Sequence, residues 1–172
     1  MDSITNILTR RSIRAYEDRP ISEEDIQTIL KAGVSGPSCC NLQDWHFVVV
    51  TDREKLDAMA DTNGMYAQML KEAPLGILVC GDMNKAHKPA PDYWIIDASI
   101  AAQNMILAAR DLGIGSVWLG TWPQMFRVEG QKKLFDLPEN LIPHSVIAFG
   151  YSKDCENTEE KQLDLGCITY VR

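Results

Sequence analysis

Three arginines and a serine occupy residues 10–14 of this chain, Arg10-Arg11-Ser12-Ile13-Arg14, in a protein whose formal net charge is −7. Guanidinium groups hold phosphate through forked, charge-assisted hydrogen bonds, and a serine hydroxyl adds another. By itself such a run is most often a solvated basic patch. A second stretch with chemical potential is Gly36-Pro37-Ser38-Cys39-Cys40-Asn41-Leu42-Gln43-Asp44-Trp45. Its small residues let backbone approach a flat ligand, while Asn41 and Gln43 offer donors and acceptors to a heterocycle edge. An ordinary loop whose amides satisfy their own backbone reads equally well.

The elements that carry these stretches follow from apolar spacing. Asp2 or Ser3 caps a short helix to about Arg10, with Ile4, Ile7 and Leu8 on one face, so the arginines fall at its end. Ser22-Glu23-Glu24-Asp25 opens a second helix with a cap and an acidic first turn; Ile26, Ile29, Leu30 and Gly33 mark its buried side. His46 to Val50 reads as a strand entered from the Gly36 loop. Surface helices follow over 52–61 and 65–72. Leu75 to Cys80 is a core strand, and the Pro- and Lys-containing 82–91 segment is a crossing or lid.

Residues 92–112 form a helix that is apolar almost all round, which one small domain cannot easily cover, so part of it is expected to meet a second copy of the chain. Asp97 within it is expected to pair with an arginine or cap backbone. A strand over 116–120, a helix over 124–135 and a strand from Ser145 to Tyr151 complete the pattern, and a polar tail closes on Cys167 to Arg172. The irregular alternation favours a single α+β domain over 1–172, a sandwich of a mixed, mostly antiparallel sheet and packed helices.

Composition excludes several classes. The chain has 172 residues, 45% hydrophobic and 24% charged, which is ordinary globular composition. Its acidity argues against nucleic acid or anionic membrane as partner. The first residues lack a secretory pattern, making cytoplasm the default, and the longest apolar segment falls short of the roughly 20 residues of a membrane span. Five cysteines without C-x-x-C spacing fit neither a disulfide scaffold nor a zinc site. Cys39-Cys40 reads as a reactive pair or, more often for such residues, as small buried thiols. His46, His87 and His144 are scattered, and G-x-S-x-G and H-E-x-x-H are absent. Gly113-Ile114-Gly115 follows a helix and precedes a strand, the reverse of a dinucleotide fingerprint. What is left is an anion cluster, an amide-bearing loop and an aromatic-glycine strand end, the parts of a site for a cofactor that carries the reaction itself.

In register, Arg10 to Arg14, Gly36-Pro37-Ser38 with Asn41, Gln43 and Trp45, Tyr93-Trp94 with Asp97 and Asn104, and Gly113 to Gly115 through Trp118, Gly120 and Pro123 resemble the nitroreductase family of flavin oxidoreductases. The resemblance runs from about residue 4 to 151. It implies an intertwined homodimer with FMN at the subunit interface. Arg10, Arg11 and Ser12 would bind the phosphate and ribityl chain, and Arg14 would sit at the pyrimidine edge as an electrostatic stabiliser. Pro37, Ser38, Cys39 and Asn41 would come from the partner chain with Gln43 nearby, Leu119-Gly120 would lie near the ring, and Arg172 matches a late basic residue near the phosphate. The sequence departs from the family at Cys39-Cys40, where small non-thiol residues are usual, and at Asp44, where Pro is usual. The implied activity is ping-pong electron transfer from NADH or NADPH to nitroaromatic, quinone or similar small acceptors. Narrower relatives perform dehalogenation or flavin destruction, and flavin storage or redox sensing, or a flavin-free interaction module, stands as the non-enzymatic alternative.

Overall fold

The apolar run from Leu75 to Cys80 buries itself only if both faces of its strand are covered. The computed structural model, which describes residues 2–154 and 159–172, covers both. Strand β2, Leu75–Asp82, lies inside a four-stranded sheet with β1 Trp45–Val50, β3 Gly115–Gly120 and β4 Leu141–Gly150, in the order β1-β2-β4-β3. Side chains alternate across a strand. Leu75, Ile77 and Val79, with Ile147 and Phe149, therefore share one core with helices α2, Glu23–Val34, and α4, Tyr93–Asp111. Leu78 and Cys80, with Val146 and Ala148, share the other with α3, Arg53–Asn63, behind which packs α5, Met125–Leu134. This is an α+β sandwich.

Every strand pairing among the described residues is antiparallel, so the expected mixed sheet is corrected on this point. β2 and β3 do run the same way, linked by the α4 crossover, but β4 inserts between them and is antiparallel to both. β4 also starts at Leu141 and not at the expected Ser145. Val79 pairs with Ser145 while Cys80 pairs with Pro143, which makes His144 the extra residue of a bulge and lets a proline sit in the strand. The segment Met65–Lys71, expected as a surface helix, is a 3₁₀ helix.

Side-chain caps start the helices where their spacing indicates. Asp2 accepts the Thr5 N–H at 3.1 Å, Ser22 that of Asp25 at 3.1 Å, and Asp52 that of Lys55 at 2.9 Å. Helix α1, Ser3–Thr9, however, turns its polar side inward: the Asn6 amide donates to the Leu107 carbonyl at 2.9 Å and Arg110 donates to the Asn6 carbonyl at 2.6 Å. Its apolar residues Ile4, Ile7 and Leu8 are left 64%, 53% and 43% exposed, and Ile96 on α4 is 53% exposed. No helix among the described residues is long and apolar enough to cross a membrane. Cys39, Cys40, Cys80 and Cys167 are free thiols; Cys155 lies outside the described residues.

Trp94 of α4 packs onto Gly81 of β2, where a Cβ would come 2.3 Å from Cε3 of the buried ring. Gly81→Ala is expected to cost about 1–3 kcal/mol through overpacking. The urea midpoint falls accordingly with an unchanged slope; a wild-type midpoint would contradict this packing.

Candidate cofactor site

Arg10 ends α1 in extended backbone, with ψ 134°, and from there the chain runs beside the sheet. The Ile13 N–H donates to the Ser116 carbonyl at 2.9 Å and the Glu17 N–H to that of Tyr151 at 2.8 Å. Ile13 seats on Gly115, where a Cβ would lie 2.7 Å from Ile13 Cγ1. Burying Ile13 in extended chain turns Ser12 and Arg14 away from the core. Arg11 donates to the carbonyls of Arg10, at 2.9 Å, and of Glu159, and Arg14 approaches the Ser12 carbonyl at 3.5 Å. Carbonyls satisfy donors without neutralising charge, so these contacts leave the positive field of the run in place.

Arg14 borders a cavity of about 370 Å³ with Asn63, Met65, Tyr66, Met69, Val117 to Gly120, and Arg127. The Gly120 carbonyl at its edge accepts from Asn63 Nδ2 at 3.3 Å and Arg127 Nη1 at 2.8 Å. Asn63 is buried and accepts the Thr121 hydroxyl at 2.9 Å, which fixes its amide. A Cβ at Gly120 would meet nothing within 4 Å, so the strand end is open on that side. Two guanidiniums and a fixed carboxamide around an apolar, partly aromatic wall suit a flat ligand with an electron-rich polar edge. That donor set fits a flavin. The larger cavity, about 690 Å³, is bordered by the four acids Glu17, Asp18, Glu23 and Glu72 against the single cation Arg53, a net charge of the wrong sign for a phosphate.

Arg14, Leu119 and Gly120 are thus brought together, beside Arg10, Arg11 and Ser12 on the same segment. Pro37, Ser38, Cys39, Asn41 and Gln43 do not border this cavity. They form a separate loop, pinned where Asp97 on α4 accepts the Cys39 N–H at 2.9 Å and where the Ser38 hydroxyl accepts the Gln43 N–H at 3.0 Å. Asp97 therefore caps backbone, one of its two expected roles. Arg172 lies 5.3 Å over the Tyr170 ring and outside the cavity lining. Asn63, Met65, Tyr66 and Arg127 were not anticipated. Asn63 falls in Thr62-Asn63-Gly64, which reads only as a helix break, and Arg127 reads as one of several helix-surface cations.

His144 is also better placed than its isolation in the sequence indicates. It sits among Trp94 and Trp118 with ring centroids 5.8 and 5.6 Å away, and its ring nitrogens meet the hydroxyls of Ser99 at 3.2 Å and Ser145 at 3.1 Å. Burial lowers its pKa to about 4, which keeps the imidazole neutral.

A family model described as the nitroreductase family matches residues 7–63 and 61–151. A protein of Methanothermobacter thermautotrophicus, provisionally named an NADH dehydrogenase/NAD(P)H nitroreductase, is 45% identical over 160 residues, 93% of this chain and 82% of its own. The solved structure of an FMN-dependent nitroreductase from Clostridium difficile R20291 superposes with a TM-score of 0.89 at 31% identity, covering 98% of this chain and 99% of that one. The NADPH:FMN oxidoreductase of Vibrio harveyi, complexed with NAD+, gives 0.81 at 28% identity, with 95% and 73% covered.

Behind the loop, Asp44 is fully buried beside the Asp97 carboxyl, and no well-formed hydrogen bond from a donor of the chain reaches either of its oxygens. Burial pushes its pKa up from 3.8 to about 6, with the Asp97 charge adding to the shift. The native state therefore keeps a proton that the unfolded chain loses, and stability falls as pH rises from about 4 through about 6. Asp44→Asn is expected to gain stability relative to wild type across that interval in chelator-containing buffer. Urea midpoints at several pH values check it, and a difference independent of pH would contradict it.

Proposed function

The chain belongs to the nitroreductase family, and on that premise we propose that it is an FMN-dependent oxidoreductase passing electrons from NAD(P)H to small nitroaromatic or quinone acceptors. The observation that carries this reading is the cavity in which Arg14, Asn63 and Arg127 surround the open end of β3. Bound FMN would supply two-electron redox chemistry between a nicotinamide and a second small molecule.

The chain's own residues bind and orient. Arg10, Arg11 and Ser12 hold the phosphate and ribityl chain, with Arg172 as an outer cation. Arg14 provides positive charge at the pyrimidine edge, where negative charge accumulates on reduction. Asn63, already locked by Gly120 and Thr121, presents a fixed amide beside it. Leu119 and Gly120 form the wall along the ring. No protein nucleophile is needed, and the neutral His144 has no acid-base task in this scheme.

Pro37, Ser38, Cys39, Asn41 and Gln43 complete the site of a partner subunit in a homodimer. What supports this is that the loop stays out of its own chain's cavity while α1 and α4 leave Ile4, Ile7, Leu8 and Ile96 exposed. Exposed apolar faces of this kind are the usual signature of an interface.

The purified protein is expected to show flavin absorbance, to release FMN identified by chromatography, and to oxidise NAD(P)H when a nitroaromatic or quinone is added. A colourless protein that FMN does not stabilise would overturn the reading. A charge-assisted hydrogen bond contributes about 1.5–3 kcal/mol, so Arg14→Ala should weaken FMN binding roughly 10- to 100-fold in flavin titration. Unchanged affinity together with an unchanged flavin reduction rate would remove Arg14 from the site. Ile96→Glu should shift the molecule to monomer in light scattering and lower its flavin content; a dimer with full flavin would rule out this face as the interface.

A further inference from the structure

Cys39 and Cys40 have sulfurs 4.0 Å apart. Each lies with a ring nitrogen of His87 in a group whose ligand atoms are all within 4.8 Å of one another. Neighbouring side chains normally diverge. Here left-handed backbone at Cys40, φ 49° and ψ 23°, followed by Asn41 at φ 56°, turns the two thiols together. Side chains with a Cβ disfavour that conformation, so something other than local preference holds it.

The surroundings ask for positive charge. His87 comes from the 82–91 connector, and its Nδ1 is sealed from solvent with no hydrogen-bond partner. Asp44, wholly buried close by, faces the Asp97 carboxyl and receives no well-formed hydrogen bond from a donor of the chain on either oxygen. Buried polar atoms without partners are rare and call for an explanation such as an ion. Thiolate and imidazole favour a thiophilic cation, and Zn–S bonds of about 2.3 Å in a tetrahedral site bring two sulfurs to about 3.8 Å, close to the 4.0 Å present, with the His87 nitrogen within 4.8 Å of both.

We propose that Cys39, Cys40 and His87 bind one Zn²⁺, with Asp44 supplying negative charge beside it. Both thiols lose their protons to solvent on binding, and water or a carboxylate oxygen completes the fourth position. The ion ties the loop carrying Ser38, Asn41 and Gln43 to the connector that leads into α4, fixing the loop's course. The proposal rests on this cluster and not on the flavin reading.

The test uses the full chain with its flavin, reduced by a phosphine under argon, freed of metal with a chelator and titrated with Zn²⁺ against a chromogenic competitor. One zinc per chain is expected, with a zinc-dependent rise in Tm. Cys40→Ser and His87→Gln should each weaken binding by more than about 100-fold and Asp44→Asn by about tenfold, on the scale of supporting and direct ligand losses. Cys167→Ser, altering an exposed thiol elsewhere, should leave binding intact. Circular dichroism and urea midpoints of the metal-free variants separate a lost ligand from a lost fold, and Cd²⁺-thiolate absorption in the wild type reports sulfur ligation directly. A reduced wild type that takes no zinc, zinc binding by Cys40→Ser equal to wild type, or a Cys39–Cys40 disulfide whose reduction yields no zinc binding would overturn the site. Repeating the count on flavin-stripped protein keeps the two readings apart, since one zinc per chain there shows a site independent of flavin, whereas failure to take up FMN bears on the flavin reading alone.

Discussion

The seating of Ile13 on Gly115 is the contact on which the site depends. It requires a residue without a Cβ at the start of β3, and it is reinforced by the hydrogen bond from the Ile13 N–H to the Ser116 carbonyl. Because the arginine run is extended and its central isoleucine is buried, the flanking cations project beside the strand whose far end opens at Gly120. The charged segment is therefore positioned by an apolar residue in its middle. Loss of that anchor would leave the cations in the sequence but not at the cavity.

The opposite side of α4 works under a different constraint. Its apolar residues fill the core against β2 and α2, and Gly33 and Gly36 let the helices approach closely, with Met105 and Ile100 where Cβ atoms would otherwise stand. Buried within this packing, Asp97 spends its carboxylate on the backbone of the Gly36 loop. The loop is held in place by a charge inside an otherwise apolar helix, while a second carboxylate, Asp44, is buried beside that one behind the loop. Two acids with no cation between them are costly in low dielectric, and the proposed zinc site relieves that cost.

Much of this architecture was legible in the residues. The unbroken apolar run of Leu75 to Cys80, side-chain caps at Asp2, Ser22 and Asp52, and the apolar run of α4 each encode their element locally. The arginine run and the residues at the end of β3 were legible as parts of one site through their resemblance to a family. What local pattern could not carry was long-range placement. Nothing near Pro143 indicates that β4 crosses it, because the bulge depends on pairing with β2. The polar face of α1 turns inward only because Asn6 and Arg110 find each other across a long stretch of chain. Asn63 and Arg127 converge on Gly120 from two different helices, and His87 reaches the cysteine pair from a segment that looks featureless in sequence.

The central claim is that each FMN is gripped by the cations of one chain and the amide loop of another. It is tested most directly by mixing subunits, one carrying Arg14→Glu and the other Ser38→Trp, and measuring bound flavin in the isolated mixed dimer. Each variant alone is expected to bind little. In the mixed dimer one site combines both defects and the other has neither, so flavin binding should return to one FMN per two chains. A mixed dimer that binds no more flavin than either parent would contradict a shared site.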